Sequence, residues 1–196
     1  MTETRRLTDP ETLKALAHPL RRQLYRLLSE LGPATATHLI ERVDAEPGQV
    51  SYHLRELAKR GFVEEAPELV RDRRERWWRA LPGSIAWSTT DFADPAGRAV
   101  AQTAQQLLVE EQFERLRAYQ AVAETWSREW RDAATVTNTP LRLTVEEMRA
   151  LCAELNEVLA RWAEVGRLDP KLRPDERTAD GRDHVLVFYH AFPEKP

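Results

Sequence analysis

The 196-residue chain holds a single cysteine, Cys152, so no internal disulfide can form, and this scarcity fits a reducing cytoplasm. Long apolar runs are missing too. The longest, Val185–Tyr189, is far short of the ~20 residues a membrane-spanning helix needs. The first residues, Met-Thr-Glu-Thr-Arg-Arg, are polar and lack the apolar region of a signal peptide. The seven glycines are scattered, which excludes a phosphate-cradling glycine-rich loop, and no G-x-S-x-G, H-E-x-x-H or C-x-x-C signature occurs. These absences point to a soluble, cytoplasmic chain with no membrane association, no cofactor and no enzymatic activity. Lysine is scarce as well, at four of the 29 basic residues, an arginine bias that with abundant alanine fits a GC-rich bacterial genome.

The net charge of -3 does not advertise a nucleic-acid binder, but its distribution is uneven. Residues 1–83 carry 15 basic and 13 acidic side chains, a balance of +2, which leaves -5 for the remainder. Five arginines crowd into residues 71–79, and a local patch matters more for phosphate binding than the overall sum.

The stretch from Pro47 to Val63 predicts a short helix with a hard stop. Pro47 suits the first helical position and Gly61 the left-handed closing residue. On a helical wheel Val50, Leu54 and Leu57 share one face, while Gly48, Tyr52, Arg55, Glu56 and Lys59 share the other. Such a helix docks one face on a core and offers polar groups to a major groove. A second short helix, Thr35 to Val43, precedes it across the turn Asp44-Ala45-Glu46. Two strand patterns, 62–66 and 75–81, follow it and flank the basic loop. Helix, turn, helix, strand, loop, strand is the order of a winged helix-turn-helix. By strand alternation one of Trp77 and Trp78 must face inward.

Leu16-Ala17-His18-Pro19-Leu20-Arg21, Val50-Ser51-Tyr52-His53-Leu54-Arg55-Glu56-Leu57 and Gly61-Phe62-Val63 together resemble the ArsR-type bacterial transcriptional regulators, over residues 10–81. The resemblance implies a dimeric winged-helix protein that binds double-stranded DNA, often as a repressor released by a metal or small molecule. On that footing Gln49, Tyr52 and Arg55 are the candidates for reading bases, with Ser51, Lys59, Arg73 and Arg74 on phosphates. Arg76 and Arg79 read as strand-surface groups. The blander reading of the basic run is a solvated hairpin with salt bridges to Asp72 and Glu75. The runner-up for the whole domain is a winged-helix protein–protein interaction module without DNA binding, since fold does not fix function.

The family's thiol-containing metal motif would fall near Leu39–Asp44, where this chain has no cysteine, so no metal site is expected. His184 and His190 would lie about 20 Å apart on a strand, too far to share an ion. His53, at the edge of the buried helix face, reads as a packed imidazole.

Upstream, Asp9-Pro10-Glu11 starts a helix, His18-Pro19 breaks it, and a leucine stripe runs from Leu20 to Leu31 before Gly32-Pro33. Residues 81–84 are the expected boundary between a winged helix-turn-helix domain, 1–83, and a helical dimerisation domain, 84–196. Residues 85–92 are ambiguous. The second part predicts one long helix over 95–132, another over 144–165 opened by a Thr144/Glu147 capping box, and a strand over 184–192. Residues 167–182 read as a loop. The fold class is therefore mainly α, with one or two short strands in the second half. Wide apolar stripes on two helices call for a second copy of the chain. Tyr119, Trp126, Trp130, Met148 and Trp162 are a candidate pocket for a small-molecule effector, against the plainer reading of core or dimer interface. Cys152 lies in the apolar stripe and reads as a packed thiol.

Overall fold

The computed structural model describes residues 4–177 and 180–195. A short strand, β1 (Thr4–Arg6), leads into α1 (Pro10–Ala17). The Asp9 carboxylate caps α1 by accepting from the backbone N–H of Thr12 at 2.8 Å and of Glu11 at 3.3 Å. His18 sits in extended backbone between α1 and α2 (Pro19–Leu31), as the residue before a proline should. Gly32, at φ +78°, ends α2. Then come β2 (Ala34–Thr35), α3 (Ala36–Ile40), α4 (Pro47–Lys59), β3 (Val63–Glu65), β4 (Trp77–Ala80) and β5 (Ser84–Ala86). α3 is one turn shorter than the sequence pattern predicts, because residues 41–46 turn to reach α4.

β4 lies between β2 and β3 in an antiparallel three-stranded sheet, with Val63 opposite Ala80 and Thr35 opposite Trp77. This is a winged helix-turn-helix, with the wing loop at residues 66–76. Its core gathers Leu13 and Leu16 of α1, Leu24 and Leu28 of α2, Leu39 of α3, Val50, Leu54 and Leu57 of α4, and Phe62 and Trp78. The three α4 side chains are fully buried, and each such burial contributes about 1.5–3 kcal/mol, enough to fix which face of α4 points outward.

The packed unit continues past residue 83. β5 pairs in parallel with β1, and Phe92, Ala101 and Ala104 join the main core. The last two belong to α5 (Pro95–Val122), whose start is capped by Asp94 and whose first turns pack on α1. Further along, α5 is tied to α2 by a chain of ion pairs: Arg22 to Glu111 at 2.5 Å, Arg26 to Glu30 at 2.9 Å and to Glu111 at 3.4 Å, and Arg115 to Glu30 at 2.8 Å.

The helix expected over 95–132 is broken. α5 stops at Val122, a 3₁₀ turn spans Ala123–Thr125, and α6 (Arg128–Ala133) restarts with Ser127 as its cap. α7 (Val145–Val165) carries the Thr144/Glu147 capping box as the sequence predicts, and it has no buried residue. The strand expected over 184–192 does not form. That segment touches α7 at Tyr189, whose hydroxyl lies 2.9 Å from Asn156 Oδ1, and it finds no neighbouring strand among the described residues. The second half of the chain therefore contributes one short strand, β5.

Both tryptophans of β4 are buried, although alternation demanded only one. Trp78 enters the main core. Trp77 points to the other face of the sheet, where Ala66, Leu69, His38 and the guanidinium of Arg173 enclose it.

Candidate nucleic-acid interface

α4 begins on Pro47, and the Gln49 side chain reaches back to accept from the Glu46 backbone N–H at 3.1 Å. This reach explains how the helix starts without a Ser, Asp or Asn cap. It also holds Gln49 at the exposed N-terminal turn. The helix closes at Gly61, φ +68°, where the Arg5 guanidinium donates to the carbonyls of Arg60, at 3.0 Å, and of Gly61. A cation at a helix C-terminus is favoured by the helix dipole. Arg5 lies 5.3 Å from the Phe62 ring as well.

On the outward face of α4, Tyr52 is half exposed. Arg55 is exposed and lies back along the helix, its Nε donating to the Ser51 carbonyl at 3.2 Å. Lys59 is engaged with Glu56 at 2.5 Å, so any phosphate contact by Lys59 competes with that pair. The pairing also holds the Glu56 carboxyl below its ordinary range.

The wing arginines divide into two groups. Arg71 pairs with Glu176, Arg76 with Glu65 at 3.4 Å, and Arg79 with Glu64 at 2.7 Å and with Glu68. Among the described residues no ion pair holds the side chain of Arg73 or Arg74. Asp72 accepts from the Arg74 backbone N–H at 2.9 Å, and Glu75 accepts from the indole of Trp77 at 3.0 Å, so the acids of the run are spent elsewhere. A cleft of about 700 Å³ separates the wing from the helices, with Ser51 and Arg55 on the α4 side and Arg74 and Arg76 on the wing side. The structure thus brings Ser51, Arg55 and Arg74 to one cleft.

The aromatic candidates of the second half stand apart from this surface. Trp126 and Trp130 meet edge to face at 6.2 Å, and Tyr119, Trp126 and Trp130 are each 37 % exposed. Trp162 is 63 % exposed and Met148 is half-buried on α7. Cys152 is half-buried in the same helix. Among the described residues no group of three or more His, Cys, Asp and Glu side chains is placed to hold a metal ion. Among the described residues no helix is long and apolar enough to cross a membrane.

One residue at the wing that sequence reasoning missed is Arg173, which lies in the stretch read as loop. It is 6 % exposed, and its guanidinium lies 4.7 Å from the Trp77 ring. The sequence held one signal for it: two adjacent tryptophans on a strand need cover on both faces.

Residues 16–66 match the family model of a helix-turn-helix domain, the segment that carries α2, α3 and α4. Two solved structures are similar over about half of the chain. One, described as a "possible transcriptional regulator for arsenical resistance", is 28 % identical, with 55 % of this chain and 94 % of that one covered at a TM-score of 0.32. The other, an ArsR-like transcriptional regulator from Rhodococcus sp. RHA1, is 21 % identical, with 57 % and 89 % covered at a TM-score of 0.31. No curated protein matches the chain. The match over residues 16–66 bears out, as a helix-turn-helix domain, the resemblance read from the Leu16, Val50 and Gly61 motifs.

Proposed function

We propose that this chain is a DNA-binding transcriptional regulator that acts as a homodimer in the bacterial cytoplasm. α4 enters the major groove, with Gln49, Tyr52 and Arg55 at base edges, while Ser51, Lys59, Arg73 and Arg74 meet phosphates. Residues 1–83 supply the DNA-binding function. Residues 84–196 supply the dimer contact, through the apolar face that α7 leaves exposed. Occupancy of an operator represses transcription, and a small apolar ligand near Trp126 and Trp130 is the input. No catalytic step enters this reading.

The observation that carries it is the state of the wing arginines. Arg73 and Arg74 keep their charge uncommitted in the wing, and Arg74 lines a cleft whose other wall is the exposed side of α4, whereas Arg71, Arg76 and Arg79 are spent on carboxylates. Unpaired guanidiniums next to an outward-facing helix are what phosphate anchoring requires.

The test is a titration of the full chain against duplexes selected from random DNA and against unselected duplexes, at several salt concentrations. The reading expects tighter binding to the selected pool and affinity that falls steeply with salt. Binding that ignores both sequence and salt rejects it.

A further inference from the structure

Among the described residues the C-terminal part of the chain touches the wing through one short segment. Seven residues after Val165 ends α7, Leu172 begins a strap that crosses the face of the sheet opposite the main core. The Arg173 guanidinium is inserted there. It donates to the Leu69 carbonyl, lies 3.3 Å from Glu75 Oε2 and stacks on the Trp77 ring. Leu69, Glu75 and Trp77 are the base of the wing. Glu176 accepts from the Arg173 backbone N–H at 3.0 Å and pairs with Arg71 in the middle of the wing loop. Arg177 grips a different element, donating to the Leu31 carbonyl at the end of α2 at 2.5 Å and lying directly over Gly32. The strap therefore has contacts at both sides: with the end of α2 and with the wing.

We propose that residues 172–177 set the position of the wing and pass the state of the C-terminal half to it, with Arg173 as the positioning residue. The inference rests on the DNA-binding reading for its consequence but not for its mechanics. A change at α7 that pulls the strap reaches Leu69, Glu75 and Trp77 without passing through α4. Coupling of this kind needs an element that both ends can bias, and the wing is that element. It alters the phosphate anchor and leaves base reading alone. A regulator built this way weakens on all sequences alike when its input is engaged, and keeps its sequence preference.

The strap also accounts for an otherwise expensive arrangement. A guanidinium that is 6 % exposed loses most of its hydration, and here a carbonyl, a carboxylate and an aromatic face replace it. Without Arg173 the Leu69 carbonyl and the Trp77 ring meet water, and among the described residues the strap's remaining ion pairs to the wing are those of Arg71 with Glu176 and, at 3.9 Å, with Asp175.

The experiment uses the full chain with Arg173→Ala, Arg173→Lys and Glu176→Gln. Hydrogen exchange is followed at residues 69–77 and in α4, and affinity is measured on selected and random duplexes across salt. Arg173→Ala should speed exchange at 69–77 while α4 stays protected. It should weaken both duplexes by a similar factor, about tenfold, and lower the salt slope by about one unit. Arg173→Lys should restore part of both effects, and Glu176→Gln should shift both in the same direction by less. Unchanged exchange in the wing of a folded Arg173→Ala protein overturns the proposal. So does weakening confined to the selected duplex. If Arg173→Ala does not fold, unchanged wing exchange in Glu176→Gln overturns it instead. If the wild-type chain binds no duplex while the variants still loosen the wing, the strap stands and the DNA-binding reading falls.

Discussion

The imidazole rings of His18 and His53 lie 4.4 Å apart, centroid to centroid, and neither Nδ1 has a hydrogen-bond partner. His18 joins α1 to α2, and His53 stands on α4, so this contact couples α4 to the helices beneath it. Burial lowers the proton affinity of both rings. Arg21 lowers it further for His18, and His18 and then Arg21 do so for His53, while Glu56 opposes the effect at His53. Both rings are most stable neutral.

A stability change with pH follows. The ordinary value is 6.5, and the folded values lie below it, so below pH ~6.5 the unfolded chain takes up more protons than the folded one. Stability is therefore full above about pH 6.5 and falls as the pH drops through the lowered folded values. The carboxyls of Asp9, Glu56 and Asp91 are lowered as well, so their stabilisation is lost only in more acid solution, below about pH 4.5. Urea midpoints at pH 7.5, 6.5 and 5.5 measure the effect. Replacing both histidines by Asn should flatten the dependence in that window, and a wild-type midpoint that stays constant from 7.5 to 5.5 would refute the argument.

Arg55 and Arg73 should do different work. Arg55 lies on the exposed face of α4 with a guanidinium able to bridge two acceptors on a guanine. Arg55→Ala should cost about 1–3 kcal/mol on the preferred site and relax preference at one base position. Arg73, unpaired in the wing, should lose the same affinity for every sequence when replaced by Ala, with a salt slope smaller by about one unit. Parallel titrations on specific and random duplexes separate the two, and identical profiles for both variants would show that the assignment is wrong.

Assembly should depend on α7. Leu155 and Val158 are 36 % and 41 % exposed in the single chain. Charge placed there costs a lone chain little, within about 0.5 kcal/mol for a surface site. Leu155→Glu with Val158→Glu should leave the thermal midpoint of the winged helix unchanged and shift sedimentation from dimer to monomer. Binding to a two-half-site operator should weaken with it. A variant that still sediments as a dimer would place the interface elsewhere.

Two glycines, Gly48 within α4 and Gly61 just beyond its end, should respond in opposite directions. Gly61 has φ +68°, a region where a side chain costs about 1–2 kcal/mol, so Gly61→Ala should destabilise by that amount. Gly48 has open space where a Cβ would go, and Gly48→Ala should stabilise by about 0.4–1 kcal/mol through the unfolded chain. Denaturant unfolding of both variants reads the difference directly.

The helix-turn-helix was legible because its signals are local. Pro47, Gly61 and the Val50, Leu54 and Leu57 face specify α4 without reference to anything distant. The elements that escaped depend on distant partners. β1 is a strand only because residues 84–86 lie beside it, and nothing in Thr-Arg-Arg announces that pairing. The segment 184–192 has the composition of a strand but finds no adjacent strand among the described residues. The break after Val122 involves neither proline nor glycine. Its trace is the Thr125 hydroxyl, which donates to the Val122 carbonyl at 2.7 Å, and the Ser127 cap that follows. At the candidate interface, position in the run set Arg73 and Arg74 in the loop and Arg76 and Arg79 on the strand. The ion pairs that hold Arg71, Arg76 and Arg79 could not be read there, because Glu176, Glu65 and Glu64 approach only in the folded chain.

The entry of Ala101 and Ala104 into the core fixes when this protein can fold during its own synthesis. A nascent chain that has emerged only through the wing has all of α4, yet β1 has no β5 to pair with and the first turns of α5 are still inside the ribosome. Synthesis runs at about 5–20 residues per second, so the apolar side of α1 that those turns cover waits about one to four seconds after β4 has appeared. During that interval Leu13 and Leu16 are open to holding chaperones and to other unfinished copies on the same message.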